Sequence, residues 1–185
     1  MNFIIPKQQY TGQLSDTGNP MRLPSVFNKI NKLSKKDSKY ALKSNTINLD
    51  YGSGKYDNVT IELAKKKITN ISYDPYNRSE QHNMNIINFL SQNPVDTVTC
   101  SNVLNIIESK EIRQSIYYNI FNSLKAGGIA YFHVNEGNRS GISTILEDYN
   151  IFQSNRRLSF YYYEMNDLAI FSTIEKAGGL IIAFK

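Results

Sequence analysis

The chain has 185 residues, 41% hydrophobic and 20% charged, a balance that fits one globular domain with a sizeable core. No apolar run approaches the roughly 18 residues that span a bilayer, and the apolar stretch Phe3-Ile4-Ile5 is too short for a signal peptide, so a cytoplasmic protein with no membrane partner is expected. The lone Cys100 excludes an internal disulfide, and with only His82 and His133 beside it, a zinc site built by the protein is not expected.

The net charge of +5 is unevenly spread. Residues 1–48 carry Lys7, Arg22, Lys29, Lys32, Lys35, Lys36, Lys39 and Lys43 against Asp16 and Asp37, leaving +6 there and −1 over the rest. Two readings stay open for the basic residues at 22–43. One is an electrostatic footprint for nucleic acid; the other is a solvated helix face on a solubilising arm. No aromatic–arginine interleaving supports base stacking.

Residues 1–23, with Pro6, Gly12, Gly18 and Pro20, read as an irregular arm or lid. Ser25 is placed to cap a helix over 26–35, with Phe27, Ile30 and Leu33 on one face. Residues 1–44 thus form a basic arm and helix ahead of a second unit over 45–185. A short strand at 46–50 ends on Asp50. A helix over 56–67 follows, its last turn made basic by Lys65, Lys66 and Lys67. Residues 71–74 form the second strand. Ser79 caps a helix reaching Leu90, with Met84, Ile86, Ile87 and Leu90 facing inward. Residues 95–100 are a β-branched third strand. Ile112, Ile116, Ile120 and Leu124 recur every four residues in a helix over 110–124, which Gly127-Gly128 stops. Residues 129–134 are the fourth strand. A tyrosine-rich helix over 158–171 precedes two runs, 172–176 and 180–184, that flank Ala177-Gly178-Gly179 as a hairpin. Repeated strand–helix units imply right-handed crossovers. The expected architecture is α/β: a Rossmann-like, doubly wound, mostly parallel sheet with a C-terminal antiparallel hairpin.

Ligands of such sheets bind beyond the carboxyl ends of the strands. Asp50-Tyr51-Gly52-Ser53-Gly54 places two glycines where backbone approaches a ligand. Asp74, 20 residues after Gly54, is placed to accept hydrogen bonds from ribose hydroxyls. A dinucleotide fingerprint would have its third glycine at position 57. That position is Asp57, whose carboxylate repels a pyrophosphate and tolerates a sulfonium or an amino group. A nicotinamide cofactor is therefore disfavoured, and Asp50 is placed to bind the amino group of a methionine moiety directly or through water.

Residues 50–54, Asp74, the segment 95–107 and Leu124-Lys125-Ala126-Gly127-Gly128 resemble the successive motifs of class I S-adenosylmethionine-dependent methyltransferases. The match covers about residues 45–185 and is specific in order and spacing. Segments 73–78 and 135–137 are similar to those of small stand-alone bacterial and phage methyltransferases of unassigned substrate. The resemblance implies S-adenosylmethionine as cofactor. Asp50, Tyr51, Gly52, Ser53, Gly54 and Asp57 would wrap its methionine part and Asp74 its ribose, while Cys100, Ser101 and Asn102 would floor the sulfonium. The chain departs from the family in one place. Only one helix fills the stretch between Asp74 and Val95, so the strand whose following acid touches adenine is missing; Tyr76, Cys100 and Ser101 are the expected substitutes, and Pro75 joins the expected cofactor-binding residues.

Asn102 and Glu136 are the expected acceptor-orienting, catalytic residues. Asp74-Pro75-Tyr76-Asn77 looks like the Asp-Pro-Pro-Tyr box of amino-group DNA methyltransferases but sits at the ribose position. Cys100 lacks the preceding proline of cytosine C5 chemistry and reads as a small buried hydrophobe. His133, inside the fourth strand, reads as a half-buried histidine; a general base there would have to project to the open edge. Glu136 and Arg139 read either as substrate contacts or as loop bracing. The function expected is methyl transfer to a nucleic acid or small molecule; the alternative is a non-catalytic module that keeps the fold and docks through residues 1–44.

Overall fold

The computed structural model describes residues 23–146 and 151–185. The arm read at 1–23 therefore lies, up to residue 22, outside the described residues, as does Arg22. In chain order the elements are α1 (Ser25–Ser34), β1 (Ile47–Tyr51), α2 (Asn58–Ala64), β2 (Thr69–Tyr73), α3 (Glu80–Gln92), β3 (Val95–Ser101), α4 (Lys110–Ser123), β4 (Leu124–His133), β5 (Thr144–Leu146), β6 (Ile151–Gln153), α5 (Leu158–Asn166), β7 (Thr173–Ala177) and β8 (Leu180–Phe184). Six strands make one sheet in the order β2-β1-β3-β4-β8-β7, and β5 and β6 form a separate antiparallel pair that the sequence reading lacked. Strands β1 to β4 run parallel, with Leu49 opposite both Ile71 and Val98. Strand β8 pairs antiparallel with β4, and β7 with β8, which is the expected hairpin. Helix α3 leads straight into β3 and β2 is the sheet edge, so among the described residues no strand lies beyond β2. The chain order reverses between β1 and β3, which puts the ligand crevice at their carboxyl ends.

Period-two alternation sends neighbouring residues of each strand to opposite cores. Leu49, Tyr51, Val98 and Cys100 join the larger core, with Leu90, Ile116, Tyr117, Ile120, Tyr161 and Met165 from α3, α4 and α5. The other face is covered by α1 and α2, where Val26, Phe27, Ile30 and Leu33 pack with Val59, Leu63, Tyr131, Leu180 and Ile182. This second face carries a polar ladder. The Asn48 amide donates to Asn70 Oδ1 (2.8 Å) and Thr99 Oγ1 (3.1 Å), and Thr97 donates to Asn48 Oδ1 (2.8 Å). Thr99 in turn donates to Asp50 Oδ1 (3.0 Å). Mutual satisfaction makes such a buried network tolerable.

Three local expectations are corrected. Pro24, with no side-chain hydrogen bond, occupies the cap position of α1, and Ser25 is already helical; proline's fixed φ suits this junction. Helix α4 ends at Ser123, and Leu124 turns directly into β4, so Gly127-Gly128 lies inside a strand. There Gly127 (φ +74°) accommodates an irregularity in the β3–β4 register, and both glycines bond to the Lys185 backbone. Met84 is exposed; Asn83, one position earlier, is the buried residue of α3 along with Leu90. Ser79 caps that helix as expected, accepting from His82 N.

Candidate cofactor and acceptor site

The turn after β1 is stitched to the end of β2. Gly52 N and Ser53 N both donate to the Tyr73 carbonyl (2.8 and 3.1 Å). Gly52 has φ +80°, and a Cβ there would run into Val103 Cγ2, so glycine is required. Gly54 has φ +71° but faces open space, with nothing within 4 Å of where its Cβ would be. No atom crowds Gly54 on that side, while its N–H and carbonyl are taken by Asp74 and Arg78.

Asp74 is buried, and protein donors fill its carboxylate. Oδ1 accepts from Tyr76 N and Asn77 N (both 2.9 Å); Oδ2 accepts from Gly54 N (2.8 Å) and Asn77 Nδ2 (3.2 Å). A carboxylate has about four acceptor positions, so the residue expected to hold a ribose here organises the glycine turn. Two side chains brace the arrangement from behind. The buried Asn83 amide accepts from Asp74 N (3.1 Å) and donates to the carbonyls of Asp74, Ser79 and Arg78 (2.9, 3.1 and 3.3 Å). Arg78 forks onto the carbonyls of Gly54 and Tyr56 (2.9 and 3.0 Å) and pairs with Asp57 at 2.8 Å. Asp57 therefore meets the cofactor edge through Arg78, its own side chain being 63% exposed. Asn83 is a polar residue on the inward stripe of a capped helix, which is the one signal of its role that the sequence carries.

Asp50 is 2% exposed, and its Oδ2 has no hydrogen-bond partner. Burial pushes its carboxyl up to about 7; Thr99 and Arg78 oppose the rise, and the Asp74 charge adds to it. The side chains of Tyr51 and Cys100 point away from the crevice into the larger core, so both can serve a ligand only through backbone. The Tyr51 hydroxyl accepts from Asn119 (3.2 Å). The Cys100 thiol is pushed well up by burial, then by the Asp50 charge, so it is an inert hydrophobe. Ser101, at the end of β3, has a buried hydroxyl oxygen with no partner. Tyr76, expected near adenine, is exposed.

Asn102 sits at φ +59°, a left-handed conformation that asparagine tolerates better than most residues. Its N–H donates to the His133 carbonyl (2.8 Å), and its Oδ1 lies 3.0 Å from His133 Nδ1. These two residues form one wall of a cavity of about 670 Å³, which Ser25, Lys29, Glu136 and Arg139 also line. Burial, then the Lys29 charge, holds His133 down to about 4 against the opposing pull of Glu136. Glu136 is committed to bracing: Oε1 accepts from Leu158 N at the start of α5 (2.6 Å), and Oε2 from Arg139 Nε (2.7 Å). Burial alone would raise its carboxyl, but these bonds and the Arg139 charge hold it below the ordinary value. Asn102 and Glu136 thus meet at one cavity, adjoined by His133 and Lys29, which the sequence reading had not placed there.

No protein-family model matches the chain, and no curated protein matches it by sequence. Solved structures do match in shape. The fold is that of the class I S-adenosylmethionine-dependent methyltransferases. One similar structure is the Burkholderia thailandensis 1,6-didemethyltoxoflavin-N1-methyltransferase with bound 1,6-didemethyltoxoflavin and S-adenosylhomocysteine; the TM-score is 0.61 at 11% identity over 93% of this chain and 80% of that one. A sugar N-methyltransferase from a Streptoalloteichus species gives 0.59 at 8% identity over 100% and 96%. A Methanosarcina mazei S-adenosylmethionine-dependent methyltransferase gives 0.57 at 14% identity over 89% and 98%. No helix among the described residues is long and apolar enough to cross a membrane, and no cluster there could hold a metal ion.

Proposed function

We propose that the chain is an S-adenosylmethionine-dependent methyltransferase acting on a small molecule held in the cavity beside Asn102 and His133. The observation that carries this is a junction. The glycine turn with the orphaned Asp50 oxygen lies at the ends of β1 and β2, and a polar cavity opens at the ends of β3 and β4, with Asn102 at the end of β3 on its wall.

The residues fit the cofactor. Asp50 Oδ2 offers an unsatisfied buried acceptor for an ammonium, and Gly54 leaves room for a close approach. Asp74 would exchange its Gly54 and Asn77 side-chain bonds for ribose hydroxyls. The cofactor supplies an electrophilic methyl group on a sulfonium. The chain's part is to align an acceptor lone pair with it and to exclude water. Asn102, fixed in its strained conformation by two bonds to His133, is the positioning residue at that junction. His133, kept unprotonated by burial and Lys29, is available to accept a proton if the acceptor carries one.

A cavity of this volume suits a small ligand. Similar structures bear on this from both sides: a 1,6-didemethyltoxoflavin N1-methyltransferase and a sugar N-methyltransferase on one, a 16S rRNA methyltransferase on the other. A second reading, a fold-keeping module without turnover, is favoured by the Asp74 carboxylate, whose acceptor positions protein donors already fill. Incubation with methyl-labelled S-adenosylmethionine and separated DNA, RNA, protein and metabolite fractions tests both. Label in the metabolite fraction is expected. Label confined to a polymer fraction contradicts the small-molecule acceptor, and cofactor binding without label in any fraction supports the inert module.

A further inference from the structure

The acceptor cavity carries an unbalanced charge. Its ionisable lining consists of Lys29, His133, Glu136 and Arg139. Glu136 and Arg139 neutralise one another through their 2.7 Å contact. His133 is uncharged near neutral pH because burial and Lys29 hold it down. Lys29 is half-buried, and among the described residues it has no carboxylate partner. Among the described residues the wall therefore carries one net positive charge, on Lys29.

That lysine's place is built into the hairpin. Gly179, in the β7–β8 turn at φ +74°, lies so close to the Lys29 ammonium that a Cβ on residue 179 would collide with Nζ. Helix α1 presents Lys29 while Val26, Phe27, Ile30 and Leu33 fix it to the core. Ser25, the first residue of α1, lines the same cavity, so the positive end of that helix adds to the field. Hydrogen-bonding side chains of Asn102, Asn135 and Asn138 complete the wall.

We propose that this cavity selects a small acceptor bearing an anionic group, a carboxylate or a phosphate ester, which docks on Lys29 next to His133 and Asn102. The inference rests on the cavity being the acceptor site of a methyltransferase, but its test does not depend on turnover. The partly desolvated ammonium gives a charge-assisted contact stronger than a neutral hydrogen bond. Polar side chains at its sides would orient the remainder of the ligand towards the crevice.

The chain's only two histidines, His82 and His133, make proton NMR of the imidazoles a direct readout. His82 lies on α3, bonded to the Ser72 carbonyl, and serves as the internal control. The intact protein is titrated with pH in the presence of inorganic phosphate, of formate, or of neither. Either anion should move the His133 titration towards the ordinary imidazole range, since it offsets the Lys29 charge, and should leave His82 unchanged. In Lys29→Met the His133 titration should already be raised without anion, and neither anion should move it further; Lys29→Arg should restore the response. An unchanged His133 titration in the wild type, or an equal response in Lys29→Met, overturns the proposal. So does a short single-stranded oligonucleotide that saturates the response at far lower concentration than phosphate, because the site would then read a polymer. S-adenosylhomocysteine binding, measured in parallel by calorimetry, separates the two readings. Cofactor binding without the anion response refutes the anionic acceptor alone, whereas the anion response without cofactor binding refutes the methyltransferase.

Discussion

Asp50→Asn should make the chain more stable at alkaline pH and worse at binding cofactor. The Asp50 carboxyl rises from an ordinary 3.8 to about 7 in the folded chain. Between those values the folded state binds more protons than the unfolded one, so this group's contribution to stability is fully present below 3.8 and is lost as pH rises through 7. At 1.36 kcal/mol per tenfold in proton affinity, the loss between pH 4 and pH 8 is about 4 kcal/mol. The physical origin is a carboxylate with one oxygen on Thr99 and the other on nothing. Asparagine keeps the Thr99 contact through its carbonyl and carries no charge to desolvate. Urea denaturation at pH 5, 6, 7 and 8 should therefore show the mutant gaining on the wild type as pH rises, while other carboxylates cancel in the difference. A wild-type-minus-mutant difference that stays flat from pH 5 to 8 would refute the reasoning. The same substitution should weaken S-adenosylmethionine binding, because the orphaned oxygen is the acceptor assigned to the ammonium.

Other outcomes follow from the same geometry. Asn83→Ala removes four hydrogen bonds of a buried amide; at about 1 kcal/mol each, less partial replacement by water, a loss of about 2–4 kcal/mol should appear in chemical denaturation, with cofactor affinity falling alongside. Arg113→Met leaves Glu164, which Arg113 meets at 2.6 and 2.8 Å, buried without its cation; a loss of about 3–5 kcal/mol is expected, read as a lowered thermal midpoint. Cys100 should resist a thiol reagent in the native state and react fully in denaturant, since it is 1% exposed.

Much of the fold was legible because its signals are local. The glycine turn, the β-branched runs, the Ser79 cap and the Ala177-Gly178-Gly179 hairpin each announce themselves within a few residues, and their order implies the sheet. The errors lie where one residue of phase or a distant partner decides. Helical periodicity favoured apolar Met84 as an inward residue, whereas the fold buries Asn83 because the turn after β2 needs an amide that donates and accepts. Gly127-Gly128 looked like a helix stop, but the register with β3 and the Lys185 backbone draws both glycines into β4. Glu136 read either as a substrate contact or as loop bracing, and what shows its oxygen on Leu158 N is the arrival of α5, 22 residues later. Lys29 carried no sequence signal beyond a basic helix, because its meeting with Gly179 and His133 joins the two ends of the chain.

The central claim is that the turn bounded by Asp50 and Asp74 holds S-adenosylmethionine. Calorimetric titration of S-adenosylhomocysteine into the wild type and into Asp74→Asn tests it most directly. The substituted residue keeps an oxygen for Tyr76 N and Asn77 N but presents an NH2 group where Oδ2 accepts from Gly54 N and Asn77 Nδ2, so a ribose acceptor is lost together with the tie to Gly54. Saturable one-to-one binding to the wild type is predicted, with at least about tenfold weaker binding to the mutant, the cost of losing roughly one charge-assisted hydrogen bond. No binding to a folded wild-type chain, or equal binding to both proteins, would contradict the account.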